Sequence, residues 1–172
     1  SFNWSSFRYK SSFIISKLYW HIIDTKIFFR NKIIFHNMIP YDKRTGKIWY
    51  NGDLVDWSDV KIHVLSHGLH YASCVFEGER VYDGSIFKLE EHTSRFFYSA
   101  RRMGFEIPYT EKEINMASNQ IIKTQKVENG YVRPVVWRGS EMMAISAQKT
   151  KIHVAIWAWE WASSFYPNLK LK

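Results

Sequence analysis

The stretch Val75-Phe-Glu-Gly-Glu-Arg-Val-Tyr-Asp-Gly-Ser-Ile-Phe87 reads as two strands joined at Asp83-Gly84, a dipeptide that supplies the two positive-φ residues of a type I′ turn. A strand sends alternate side chains to opposite faces. Phe76, Gly78 and Arg80 therefore share one face, and Val75, Glu77 and Glu79 the other. The residues leading in, from His63 to Cys74, add three imidazoles, the Tyr71 phenol and several small side chains. Ordinary core packing needs few of these, and residues 63–80 read as the wall of a small-molecule pocket.

Working outward, Ile48-Trp-Tyr50, Asn51-Gly52 and Asp53-Leu-Val-Asp56 repeat the hairpin signature. Downstream, Leu89 to about Met103 places Leu89, Phe96, Phe97, Ala100 and Met103 close to one helical stripe, with Gly104 as C-cap. Thr110-Glu-Lys-Glu113 has the form of a capping box and opens a second helix through Ile114, Ala117, Ile121 and Ile122, ending before Gly130. Tyr131-Val-Arg-Pro-Val-Val-Trp-Arg138 and Ile152-His-Val-Ala-Ile-Trp-Ala-Trp159 are β-rich runs. Strands, two helices and strands again predict an α+β domain with a mixed or mostly antiparallel sheet.

Composition narrows the class. A chain of 172 residues that is 46% hydrophobic buries one sizeable core. The net charge of +8 first suggests an anionic polymer as partner. Its distribution argues against one, because residues 1–37 hold six Lys or Arg against Asp24 alone and so supply five of those charges. No nucleic-acid partner is expected. No apolar run approaches the roughly 20 residues that cross a bilayer, and residues 1–37 contain no Ala and no Gly for the cleavage site of a secretory signal. Cys74 is the single cysteine, so no intrachain disulfide forms. These features together predict a soluble, cytoplasmic protein without a membrane partner.

A composition break falls at Met38. Residues 1–37 contain ten aromatics and no Gly, Ala, Val, Pro or Glu, and no helical or strand period persists in them. Such a mixture resembles translation of AT-rich DNA ahead of a gene. The expectation is that residues 1–37 are a non-homologous extension, either translated upstream sequence or disordered chain, and that the domain spans residues 38–167. A basic aromatic arm is the functional alternative.

Several residues carry two readings. His63, His67 and His70 suit a metal only if the segment is helical, and Gly68 with the flanking Val64 and Val75 disfavours a long helix, so no metal site is expected. On position alone, Arg95 is an exposed helical arginine paired with Glu91 four residues earlier. The alternative is an anion clamp, for which a planar fork of donors suits phosphate. Tyr131 and Arg133 share a strand face, as a polar surface or as a phenol and a guanidinium facing a carboxylate. Cys74 reads as a small buried apolar residue. Trp157, Trp159 and Trp161 recur at period two, as core or as pocket wall.

The ordered set Trp49-Tyr-Asn-Gly-Asp-Leu-Val55, His63-Val-Leu-Ser-His-Gly-Leu-His-Tyr71, Val75-Phe-Glu-Gly-Glu-Arg80, Phe87-Lys-Leu-Glu-Glu-His-Thr-Ser-Arg95 and Tyr131-Val-Arg-Pro134 resembles the branched-chain amino acid aminotransferases, members of the class IV pyridoxal-phosphate enzymes. The resemblance runs from about Met38 to Pro167. It implies the N-terminal small domain of the class IV (D-amino acid aminotransferase-like) fold, with residues 168–172 starting the connection to a large cofactor domain. It also implies that Arg95 holds the cofactor phosphate. Tyr71, Phe76, Gly78, Arg80, Tyr131, Arg133 and Trp159 line the substrate pocket by the same correspondence, Tyr71 reaching the neighbouring subunit of a homodimer or larger homo-oligomer.

The implied reaction is amino transfer between leucine, isoleucine or valine and 2-oxoglutarate, with pyridoxal 5′-phosphate as cofactor. A D-amino acid transaminase or an aminodeoxychorismate lyase shares the fold, but Phe76-Glu-Gly78 together with Tyr131-Val-Arg133 favours the branched-chain enzyme. The family's lysine lies in a Lys-x-Gly-Asn-Tyr context, which these residues lack; Lys170 and Lys172 follow Pro167-Asn-Leu instead. No catalytic lysine is therefore assigned. The chain is expected to be the N-terminal portion of a transaminase and inactive by itself, with a truncated, decayed gene product as the alternative.

Overall fold

The computed structural model describes residues 39–161, so the expectations for residues 1–37 and 168–172 lie outside the described residues. The chain divides into two units, Ser1–Tyr41 and Asp42–Lys172, and the architecture that follows belongs to the second.

Both turn dipeptides form hairpins. Strands β1 (Lys47–Tyr50) and β2 (Asp53–Asp56) flank Asn51 and Gly52, at φ 51° and 106°. Strands β4 (Glu79–Tyr82) and β5 (Ser85–Ile86) flank Asp83 and Gly84, at φ 47° and 72°. The single strand expected from Val75 to Tyr82 is instead divided, with β3 (Cys74–Phe76) ending before Glu77-Gly78 and β4 resuming after it.

The cause lies across the sheet. Strands β3 and β4 pair in one continuous antiparallel register with β6 (Gly130–Arg138), Phe76 opposite Val135 and Glu79 opposite Val132. Between them Glu77 faces Pro134. The Glu77 N–H donates to the Pro134 carbonyl at 3.0 Å, but proline has no N–H with which to return the bond. The ladder skips a rung while the alternation of faces is kept.

The described residues form a seven-stranded sheet in the order β2-β1-β7-β6-β4-β5, with β3 also on β6 and β7 spanning Ile152–Glu160. All its pairings are antiparallel. The α+β domain expected from the strand–helix–strand order is the one observed. Beside the two expected helices, α2 (Leu89–Arg102) and α3 (Glu111–Thr124), a short α1 covers His67–Tyr71.

Helices α2 and α3 cover one face of the sheet. Phe96, Phe97 and Ala100 of α2 and Ile114, Ala117, Ile121 and Ile122 of α3 pack with Val81, Val132, Val136, Val154, Ile156 and Ala158. Met103, expected on the apolar stripe, is instead 43% exposed, because the helix ends at Arg102 and turns away at Gly104, whose φ is 78°. The opposite face carries a second cluster around Ile48, Trp57, Trp137 and Ala155. It leaves the strand positions near Tyr131 and Arg133 without a covering helix among the described residues.

The capping box at α3 forms in both directions: the Glu113 N–H donates to Thr110 Oγ1 and the Thr110 N–H to Glu113 Oε2 at 2.7 Å. Thr110→Ala should lower the unfolding free energy by about 1 kcal/mol, read as a shifted denaturation midpoint with an unchanged slope.

Candidate active site

Strand register brings most of the sequence-selected pocket residues together. Arg80, Tyr131 and Trp159 lie opposite one another across three strands, and Gly78, Arg133 and Trp157 form the next row. The Tyr131 ring packs on Trp159 at 4.8 Å and on Trp161 at 5.2 Å between centroids. Arg133 donates through Nη2 to the Tyr131 hydroxyl at 2.9 Å, and its guanidinium carbon lies 4.1 Å from the Phe76 ring centroid. The Arg80 guanidinium stands over Tyr82 and Trp161 at 5.4 and 5.5 Å. Flat aromatic surface thus surrounds two fixed cations.

Gly78 makes this arrangement possible by being small. A Cβ at that position would collide with the Tyr131 hydroxyl and meet Tyr131 Cζ at 2.9 Å. The phenol lies directly over the β3–β4 junction, in space that any other residue would fill.

Neither cation of the cluster is neutralised by a carboxylate among the described residues. The Nε atoms of Arg80 and Arg133 are buried and have no hydrogen-bond partner there. A buried donor without an acceptor is costly. Two of them on one sheet face, beside a phenol, suit an anionic ligand such as a carboxylate, which accepts several bonds at once.

The other face of the same junction holds a second group. Arg95 donates from Nε to Glu77 Oε1 and from Nη2 to Glu77 Oε2, each at 2.7 Å. His92 Nδ1 reaches Oε2 at 2.9 Å. The pairing of Arg95 with Glu91 is not formed, because Glu91 accepts from Lys88 at 2.7 Å. Burial pushes the Glu77 carboxyl up, but its bonds to Arg95 and His92 and their charges outweigh this and hold it below the usual glutamate value. Glu77 in turn raises Arg95 further. The Glu77 side chain is 5% exposed and that of Arg95 63%. One edge of the guanidinium is engaged and Nη1 has no partner among the described residues, a donor edge that fits a phosphate oxygen.

Tyr71 is not brought into either group. It sits on α1, 43% exposed, with its ring stacked on His67 at 4.4 Å. His67 is buried, with Nδ1 2.6 Å from Ser73 Oγ and Nε2 accounted for by the Ala144 carbonyl at 2.8 Å. His70 Nε2 is 2.9 Å from the Val64 carbonyl. Burial raises the Cys74 thiol above its ordinary value, which keeps it protonated and apolar in character.

Residues 74–172 match the model of the amino-transferase class IV family. The chain belongs to this family. Class IV aminotransferases are pyridoxal-phosphate-dependent, and the present chain is similar to several that carry the branched-chain name. It is 47% identical over 124 residues to the branched-chain-amino-acid aminotransferase of Pseudomonas aeruginosa, covering 70% of this chain and 40% of that one. The crystal structure of the Escherichia coli branched-chain amino acid aminotransferase superposes with a TM-score of 0.66 at 33% identity, over 69% of this chain and 40% of the other. The T.th. branched-chain amino acid aminotransferase with pyridoxamine 5′-phosphate gives 0.66 at 35% identity, over 69% and 41%. The class IV chain described here thus spans about two fifths of the length of the curated relatives it matches.

Two features of the class IV domain escape a reading of the sequence. Glu77 is visible there only as one of two acids on the inward strand face, and alternation does not tell it, which is paired with Arg95, from Glu79, whose carboxyl oxygens have no hydrogen-bond partner among the described residues. Trp161 lies beyond the end of β7, yet stacks 6.2 Å from Trp159 and against Tyr131. Its period-two spacing points to this face without singling it out.

Proposed function

We propose that this chain supplies the substrate-recognition face and one phosphate-holding arginine of a branched-chain amino acid transaminase, which exchanges an amino group between leucine, isoleucine or valine and 2-oxoglutarate. The observation that carries the reading is the Arg133–Tyr131 pair, held over Phe76 with a buried Nε that has no partner among the described residues. A guanidinium so placed binds the carboxylate common to all these substrates. Phe76, Trp159 and Trp161 offer apolar surface to a branched side chain, and Arg80 a second cation for the distal carboxylate of 2-oxoglutarate. That combination explains how one pocket accepts both.

Arg95 fits the phosphate of pyridoxal 5′-phosphate by its outward donor edge. When bound, the cofactor's pyridinium ring withdraws the electrons released as the substrate Cα–H bond breaks. The residues described here orient the substrate, neutralise its carboxylates and exclude water from its side chain. The proton at Cα is moved by a group outside them. Tyr71, exposed on α1 and apart from the cluster in its own chain, is suited to complete the pocket of a second subunit.

In the full-length polypeptide, Arg133→Gln should lower kcat/KM for both leucine and 2-oxoglutarate by about a hundredfold, mostly through KM, as expected when a charged hydrogen bond to substrate is lost. Unchanged steady-state constants for both substrates would sink the assignment.

A further inference from the structure

The least expected contact of the site is the one between Glu77 and Arg95. A cofactor-holding arginine beside an acid looks self-defeating, since the carboxylate cancels the charge that would attract an anion. The geometry points the other way. Glu77 is almost fully buried, fixed at the β3–β4 junction by its N–H bond to the Pro134 carbonyl, and engaged by Arg95 through two parallel bonds of 2.7 Å. His92, one turn earlier on α2, holds the same carboxylate at 2.9 Å. The nearest alternative acid, Glu91, is occupied by Lys88.

We propose that Glu77 is the positioning residue for Arg95: it fixes the inner edge of the guanidinium so that the outer edge is presented in one orientation to a phosphate monoester. An exposed arginine otherwise samples many rotamers, and ordering them weakens any bond it makes. Glu77 has removed that freedom before the ligand arrives. The like charge of Glu77 opposes the ligand, but it is offset by the Arg95 guanidinium that stands between them, whose outer edge meets the ligand in water. Orientation therefore outweighs charge. The inference rests on reading Arg95 as the phosphate holder, and the test separates the two.

Affinities of the full-length protein for pyridoxal 5′-phosphate and for pyridoxal, which lacks the phosphate, are measured by equilibrium dialysis; their ratio isolates the phosphate contribution. Arg95→Ala should collapse the ratio; if it does not, or if the unaltered protein binds the two alike, the Arg95 reading fails and the proposal with it. Glu77→Gln keeps the shape but loses the charge and one acceptor. It should reduce the ratio about tenfold, a loss typical of removing a residue that orients a ligand-binding side chain, while binding of pyridoxal itself stays unchanged. Glu77→Asp should recover part of the ratio, and Glu77→Gln added to Arg95→Ala should change it no further. A ratio that is unchanged or raised in Glu77→Gln overturns the proposal, as does equal weakening of both ligands, which would mark a purely structural role.

Discussion

Glu79→Leu is expected to stabilise the protein, and to do so more strongly as pH rises. Glu79 is fully buried in β4, and neither carboxyl oxygen has a hydrogen-bond partner among the described residues. Burial, with a further contribution from the Glu77 charge two residues away, pushes its pKa from 4.5 up to about 8. In the unfolded chain the carboxyl returns to its ordinary value. Between about pH 4.5 and 8 the native state therefore keeps a proton that the unfolded state has lost, and stability falls by about 1.4 kcal/mol for each pH unit. The accumulated cost is about 5 kcal/mol at pH 8 and above, and about 3 kcal/mol at pH 7. The gain from Glu79→Leu should accordingly be larger at about pH 8.5 than at about pH 4.5 by about 5 kcal/mol, read from urea denaturation at each pH. Glu79→Gln should flatten the same profile. A wild-type stability that does not fall over this window rules out the buried neutral acid. Glu77 acts with the opposite sign: its lowered pKa stabilises the fold above its ordinary value, and that stability is lost as pH falls through the folded pKa. The two acids together place the optimum of stability on the acid side of neutrality.

The second large effect belongs to Gly130, the first residue of β6. Glycine to alanine in a strand usually helps, since it removes backbone freedom from the unfolded chain. At Gly130 the sign reverses. A Cβ there would run into the Trp159 carbonyl oxygen and into Val127 Cγ1, and would stand 3.2 Å from the Trp159 carbonyl carbon. The obstacle is the backbone of the neighbouring strand β7, paired with β6 along its whole length, so it cannot rotate aside as a side chain would. Gly130→Ala should cost about 3 kcal/mol, with a shift in tryptophan emission as Trp159 and the adjoining Tyr131 are displaced. A denaturation midpoint equal to the wild type would show that β6 and β7 part at little expense.

These effects indicate how far the chain can be read without coordinates. The hairpins at Asn51-Gly52 and Asp83-Gly84, the capping box at Thr110 and the apolar stripe through Phe96 and Ile121 are local: each is fixed by turn geometry, an end-group bond or a 3.6-residue period. All of them form. The division of the strand at Glu77 is not readable, because its cause, the missing N–H of Pro134, is more than fifty residues away. Met103 departs from expectation for a local reason, as the helix ends one residue before the stripe does.

The site follows the same rule. Alternation along single strands sorts Phe76, Gly78 and Arg80, and separately Tyr131 and Arg133, onto common faces. It cannot say that the two faces are one. The register of β3 and β4 on β6 decides that, setting Tyr131 over Gly78 and Arg133 over Phe76. Nor can spacing choose between Glu91 and Glu77 as the partner of Arg95, since helical neighbours are written in sequence and a partner across a sheet–helix interface is not. The amino-acid sequence by itself determined the two hairpins, the two long helices, the strand faces and the family, because turn chemistry, period and motif order act over a few residues. The tertiary structure alone decided which charges meet among the described residues: Arg95 with Glu77, Arg133 with a phenol and no carboxylate, and Glu79 with no hydrogen-bond partner. Those outcomes depend on strand register and burial, which belong to the folded chain as a whole.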